Sequence, residues 1–206
     1  MEDRPGGPGH YFDPAPRAPS RRRTVTLTLP DLTMDLLTDR GVFAAEGIDP
    51  GTKLLLQEGA PPTGHARHLL DLGCGYGAVA VTLARRAPAA TVWAVDVNRR
   101  ALDLCAENAS GAGVGDRLRP VAPDDVPDEV TFDGIWSNPP IRIGKPALHA
   151  VLERWLARLG PEGCAHLVVH KHLGADSLAR WLGEAGWAVE RTGSRMGYRL
   201  LQVGRP

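Results

Sequence analysis

Two short stretches of this 206-residue chain carry groups in an order that chemistry could use. Residues 137–140 read Ser-Asn-Pro-Pro, and residues 71–77 read Asp-Leu-Gly-Cys-Gly-Tyr-Gly. Proline lacks an N–H and fixes φ, so Pro139 and Pro140 stiffen the chain and aim the neighbouring carbonyls. Asn138 adds a side-chain oxygen that accepts hydrogen bonds. The three form a cluster of acceptors suited to a planar –NH₂ group. Such a nitrogen is a poor nucleophile because its lone pair is delocalised. Acceptors that hold its hydrogens can turn the lone pair towards an electrophile and stabilise the positive charge that grows on nitrogen. No strong base is required, since the product's proton is acidic enough to leave afterwards. An Asn-Pro pair is also a common turn; what favours catalysis here is the second stretch.

Gly73, Gly75 and Gly77 allow a tight turn and a close approach of backbone to ligand. A helix N-terminus with unpaired N–H groups follows them. Gly73, Gly75 and Ala78 also satisfy the dinucleotide fingerprint, with Asp96 at about the ~20-residue distance expected of a ribose contact. Two cofactor classes therefore compete. Asp71 helps to separate them, because a carboxylate just before the first glycine would repel a pyrophosphate. It suits a ligand with an amino group and a positively charged sulfur, which is S-adenosylmethionine. Asp96, with Val97 beside it, ends the next strand and can accept from ribose hydroxyls in either case. Cys74 reads as a small polarizable filler within the loop, and Tyr76 as a residue of the crevice. Asp124 and Asp125 follow a third strand, where a carboxylate could accept an adenine amino group or simply be solvated.

These groups need a scaffold that brings strand ends together. "ARHLLDL" (66–72), "ATVWAVDV" (90–97), "RLRPVA" (117–122), "TFDGIWS" (131–137) and "CAHLVVH" (164–170) read as buried strands separated by helices. One of those helices is "KPALHAVLERWLARLG" (145–160), with Gly160 and Pro161 as its stop. "WAVERTG" and "YRLLQVG" are joined by too few residues for a parallel crossover, so the last strand runs antiparallel. The fold class is α/β: a Rossmann-like, seven-stranded, mostly parallel sheet with helices on both faces. A short N-terminal β extension (23–60) precedes the core (61–206); it begins with "TVTLTL" and has a second strand within the turn-rich stretch 41–57. Residues 1–22 read as a flexible Pro/Gly/Arg-rich arm, and in the cluster "RAPSRRR" (17–23) Arg17, Arg21, Arg22 and Arg23 could meet phosphates.

The chain has room for one good core. Its 24 basic and 24 acidic side chains balance, unlike the strong basic excess common in nucleic-acid binders. No apolar run approaches the ~20 residues of a membrane helix, and the N-terminus does not read as a secretory signal. Three scattered cysteines argue against a disulfide framework or a zinc site and fit a reducing cytoplasm. His170 and His172 lack the further ligands a metal would need, and Trp155 and Trp181 sit at helical spacing as core. The composition assigns no oligomeric state.

"DLGCGYG", Asp96, Asn108 in "CAEN" and "NPP" together resemble a class I S-adenosylmethionine-dependent methyltransferase that modifies an exocyclic amine. "HYF", "TDRGVFAAEGIDPGTKLLL", "SNPPIRIGK" and "GYRLL" resemble, more narrowly, the small-domain methyltransferases related to ribosomal RNA small subunit methyltransferase C, which are guanine-N2 enzymes. The resemblance runs from His10 onward. It implies that Asp71 and Gly73 to Gly77 hold the methionine end of the cofactor, Asp96 the ribose, and Asn138 with Pro139 the target amine. It implies a cover formed by Thr38, Gly41, Val42 and Phe43, and a ribosomal RNA or ribosomal-subunit partner. Ile141 departs from the aromatic residue often found after NPP and would pack on the base with Phe43's help, while Arg142 and Lys145 could hold phosphates. Larger members carry a second, degenerate domain for which this chain has no room. The rival readings are a glutamine-directed protein methyltransferase, whose amide is also a planar –NH₂, and a non-catalytic ribosome-binding module that keeps the fold.

Overall fold

The computed structural model describes residues 18–206; Arg17 and the "HYF" stretch lie outside them. Strands β1 (Arg23–Thr28) and β2 (Thr33–Thr38) form an antiparallel hairpin, and helix α1 (Pro50–Glu58) leads into the core. The core alternates as read: β3 (His68–Leu72), α2 (Ala78–Arg86), β4 (Thr91–Val95), α3 (Arg99–Gly111), β5 (Leu118–Val121), β6 (Phe132–Ser137), α4 (Lys145–Leu156), β7 (Leu159–His170), α5 (Ala175–Glu184), β8 (Ala188–Arg195) and β9 (Tyr198–Gly204). The sheet order is β5-β4-β3-β6-β7-β9-β8, with β9 antiparallel to both neighbours. The seven-stranded, Rossmann-like sheet is thus the expected one.

Neighbouring residues on the central strands serve opposite faces, as a pleated strand requires. Leu69, Val92, Ala94, Trp136 and Val168 join the apolar layer under α1, α2 and α3. Leu70, Val95, Ile135, Leu167 and Val169 join the layer under α4 and α5. A strand buried on both sides carries apolar residues continuously, which is why these segments lacked alternation in the sequence.

Two details of the sequence reading are corrected. The extension's second strand is Thr33–Thr38, and the stretch expected to contain it ends in helix α1. Asp49 starts that helix: its backbone is extended, its side chain accepts from the Thr52 N–H at 2.8 Å, and Pro50 takes the first turn. Gly160 and Pro161 are likewise not the stop of a helix. Helix α4 ends at Leu156, and β7 is already running at Leu159. There the chain crosses close to β6, where a Cβ on Gly163 would come within 2.6 Å of the Phe132 carbonyl oxygen.

The hairpin is fastened to the core by side-chain amides. Asn108, on α3, accepts from the Leu37 N–H at 2.7 Å and donates through Nδ2 to the carbonyls of Leu37 and Tyr76, both at 2.8 Å. It thereby pairs β2 as a strand would, and reaches the glycine loop as well. Asn98 caps α3 by accepting from the Arg100 and Ala101 N–H groups and donates to the Gly41 carbonyl at 2.7 Å. The described part of the N-terminal arm is also held: Ser20 and the Arg21 N–H donate to Asp39, and Arg100 donates to the Ala18 carbonyl. Arg22 and Arg23 face Glu107 and Glu46 in solvent-exposed pairs that contribute little to stability.

Replacing Asn108 by Ala strips three buried or half-buried main-chain groups of their partner. An expected loss of about 2–4 kcal/mol follows from leaving such groups unsatisfied, which for a chain of this size lowers Tm by roughly 4–16 °C. A thermal melt checks this; a Tm within about a degree of the parent contradicts the fastening role.

Candidate active site

The C-terminal ends of β3 and β6 lie side by side, with Leu70 opposite Ile135 and Asp71 opposite Trp136. Ser137 secures the junction by donating to the Leu72 carbonyl at 2.7 Å. Above this edge opens a cleft bordered by the glycine loop, the end of β6, the start of α1 and the segment after β2. Of the residues singled out from sequence, Phe43, Asp71, Gly73, Cys74, Gly75, Tyr76 and Asn138 line it.

Asp71 is buried to 2% exposure. One oxygen accepts from the Ala80 N–H in the first turn of α2 at 2.8 Å. That bond supplies the cap that Gly77, the residue before the helix, has no side chain to provide. The other oxygen accepts nothing among the described residues. Burial, opposed by the helix N–H and reinforced by the neighbouring Asp96, raises the carboxyl to about 8. The acid stands ready to ionise once a cation arrives. Gly73 and Gly75 have φ of +79° and +53°, and a Cβ on either would meet nothing within 4 Å. Their bare backbone fronts open space. Gly77 is needed for a different reason: a Cβ there would come within 2.6 Å of Cys105 Sγ, where α2 packs on α3.

Asp96 spans the gap between β4 and the loop, accepting from the Gly75 and Asn98 N–H groups, both at 2.9 Å. Burial still raises its pKa. Val97 is 40% exposed beside it. Burial, then the neighbouring Cys105, pushes the Cys74 thiol well up, which keeps it an inert wall residue.

Asn138 is half-buried. Its Nδ2 donates to Asp49 Oδ1 at 2.7 Å and to Thr52 Oγ1 at 3.1 Å, while its Oδ1 accepts nothing among the described residues. The Pro139 carbonyl accepts from the Ile141 N–H at 2.8 Å, in a one-turn 3₁₀ helix over Ile141–Ile143, and keeps its second lone pair. Asp49 and Thr52 also line the cavity, and sequence reading passed over both. The signal was the Asp-Pro start of a helix, hidden by the strand-like look of "KLLLQ".

Other candidates stand outside the lining. Asp124 and Asp125 are exposed at the end of β5, and Asp124 pairs with Arg154 at 2.9 Å. Ile141 packs partly into the layer beneath α4. Arg142 and Lys145 are exposed on the rim beyond Pro140, with no ion pair among the described residues. In the expected cover, Thr38 and Val42 are buried, Gly41 meets Asn98, and Phe43 faces the cavity at 42% exposure. His170 stacks edge-on against Tyr198 and lies 5.4 Å from His172, ring to ring. Among the described residues no group of three or more His, Cys, Asp or Glu is placed to hold a metal ion, and no helix is long and apolar enough to cross a membrane.

A family model described as the methyltransferase small domain matches residues 33–202. The chain is 32% identical to YbxB of Bacillus subtilis over 197 residues, 94% of this chain and 97% of that one. It is 38% identical over 146 residues to ribosomal RNA small subunit methyltransferase C of Hahella chejuensis, and 32% identical over 165 residues to the protein of that name in Shewanella oneidensis. It covers 68% and 77% of itself in those alignments but only 42% and 46% of the two relatives, so it spans less than half their length. Among solved structures, the Thermus thermophilus 16S ribosomal RNA N2 G1207 methyltransferase in complex with AdoMet and guanosine superposes with a TM-score of 0.76. The sequences are 24% identical, covering 93% of this chain and 52% of that one, a likeness of fold.

The raised Asp71 carboxyl gives the ligand-free protein a pH signature. With a folded value of about 8 against an ordinary 3.8, the native state retains a proton that the unfolded chain has lost, so stability falls as pH climbs from about 4 to about 8 and levels off above. Asp71→Asn removes this dependence. Its Tm relative to the parent is expected to rise steadily between pH 5 and pH 8; a constant difference across that window would contradict the assignment.

Proposed function

Because the chain belongs to the methyltransferase small-domain family, we propose that it methylates an exocyclic amine with S-adenosylmethionine as donor, and that this amine is guanine N2 of ribosomal RNA. The observation that carries the reading is Asn138: an amide whose nitrogen is engaged and whose oxygen is open, at the strand end next to that of a buried carboxylate with an unpartnered oxygen.

The residues fit the donor. When bound, S-adenosylmethionine supplies a methyl group on a positively charged sulfur. Asp71 would accept from its ammonium group, and the charge thus neutralised is what a carboxylate buried to this degree requires. The bare backbone of Gly73 and Gly75, with Cys74 and Gly77, leaves room for the methionine end. Asp96 and Val97 would meet the ribose, and Asp124 or Asp125 the adenine amino group further along the sheet edge.

At the acceptor, Asn138 Oδ1 takes one hydrogen of the target amine and the second lone pair of the Pro139 carbonyl takes the other. The rigid Pro139–Pro140 pair holds those oxygens still, so the nitrogen lone pair is aimed before reaction begins. As the nitrogen takes the methyl group and the carbon–sulfur bond breaks, its electron pair leaving with a neutral thioether sulfur, the same two oxygens stabilise charge on nitrogen, and the excess proton then passes to water. Phe43 and Ile141 would pack on the base, a contact worth ~1–3 kcal/mol where a side chain stacks fully. Arg142 and Lys145, both exposed, would meet flanking phosphates, each contact weakening with salt. A ribosomal substrate puts this work in the cytoplasm.

The relatives named for ribosomal RNA methylation support the RNA substrate, and nothing in the site favours a glutamine side chain or a purely binding role. Asn138→Ala is expected to bind S-adenosylmethionine within about threefold of the parent while transfer falls by roughly a hundredfold or more, the scale on which removing one oriented hydrogen-bond partner of a transition state acts. Calorimetry with the cofactor and tritium transfer to ribosomal RNA measure the two. Equal loss of both would make Asn138 structural. Nucleoside mass spectra of ribosomal RNA should show less N2-methylguanosine in a deletion strain than in its parent; unchanged spectra would reject guanine N2.

A further inference from the structure

An asparagine amide is a nearly symmetric fork, and only one of its two orientations presents oxygen to an incoming amine. In this chain the choice is made from outside the Asn-Pro-Pro segment. We propose that Asp49, seconded by Thr52, is a positioning residue for methyl transfer: it selects the Asn138 orientation in which Oδ1 faces the cavity. This rests on the function proposed above, in which that oxygen holds the target amine.

The argument is one of hydrogen-bond inventory. An ionised carboxylate can only accept, so the group that Asn138 turns towards Asp49 has to be its –NH₂. The distance of 2.7 Å is that of a charge-assisted hydrogen bond. Were the amide to flip, its oxygen would face a carboxylate oxygen at the same separation. The Thr52 hydroxyl, 3.1 Å from Nδ2, could donate or accept and so follows the choice Asp49 makes. Asp49 is held in turn, because the same Oδ1 accepts from the Thr52 N–H as the cap of α1, and Pro50 fixes the turn that follows it. The first turn of one helix thus sets the polarity of a side chain 89 residues away.

The device also explains an economy in the site. Asp49 and Thr52 together take the two donors of the amide, so the target amine cannot be met by a competing N–H. The negative charge of Asp49 lies directly behind the group that faces the developing positive nitrogen. Orientation and charge can be separated, because Asp49→Asn retains a side-chain oxygen able to cap α1 and accept from Asn138, whereas Asp49→Ala retains neither.

Asp49→Ala is expected to lower kcat by about tenfold to a hundredfold, the bias one charge-assisted hydrogen bond gives to an orientation. KM for S-adenosylmethionine and for ribosomal RNA should stay within about twofold. Asp49→Asn, with its cap intact, should recover most of that loss, and Thr52→Val should cost less than Asp49→Ala. Independently of any substrate, the Asn138 side-chain NH₂ pair, assigned in ¹⁵N spectra by its absence from Asn138→Ala, should show slowed hydrogen exchange in the parent and lose it in Asp49→Ala. Unchanged exchange in Asp49→Ala, or a rise in KM with kcat intact, overturns the proposal. If the parent chain transfers methyl to no RNA, the functional reading fails and the NH₂ signals alone decide whether Asp49 orients Asn138: loss in Asp49→Ala upholds that, and persistence overturns it.

Discussion

Everything at the mouth of this sheet depends on the parallel pairing of β3 with β6. Strands that are far apart in sequence end at the same level only because their backbones share a ladder, and the Ser137 hydroxyl bond to the Leu72 carbonyl closes that ladder at its last rung. From that edge one strand releases a carboxylate and glycines, and the other releases an asparagine and two prolines. A shift of a single residue in the pairing would turn Asp71 into the opposite apolar layer. The cost of placing a carboxylate between hydrophobic layers is what prevents this, and the helix N–H that receives it confirms the register.

The site is assembled from opposed electrical demands. Asp71 sits where burial disfavours its charge, and Asp96 beside it adds to that strain. A little further along the rim, Asn138 and the Pro139 carbonyl present unspent acceptor capacity. In the function proposed above, the cofactor's ammonium group would complete the first half, and the nitrogen that becomes positive the second. The extension supplies the third wall. It is tied down by Asn98 and Asn108, whose amides both donate to and accept from neighbouring backbone in the manner of a strand edge or a helix cap.

Much of this was legible in the sequence. The strand–glycine–helix passage, Asp96 at the next strand end, and the prolines after β6 are local patterns, each written within a dozen residues. The mostly parallel sheet followed from the alternation of elements, and the antiparallel last strand from the shortness of its connection. What escaped was non-local or ambiguous. "KLLLQ" fits a buried strand as well as a helix, and only the Asp49–Pro50 pair before it, a cap and a first-turn proline, separates the two. The second hairpin strand contains Asp35, which breaks the apolar run; its pairing with Thr26 across the hairpin at 2.6 Å has no trace in spacing. The contact of Asp49 with Asn138 joins chain segments that no short motif connects.

The direction of β9 has a practical corollary. Because it runs against its neighbours, it leaves the sheet at Gly204 opposite Cys164, near the beginning of β7. That is the floor of the molecule, a sheet's height below the glycine loop. The other described end behaves differently: Ala18, Ser20 and Arg21 are laced to Arg100 and Asp39, close to where Asn98 meets Gly41. A dye, resin or affinity handle joined beyond Gly204 would therefore hang away from the opening. Immobilised by that end, the protein keeps its opening turned away from the surface.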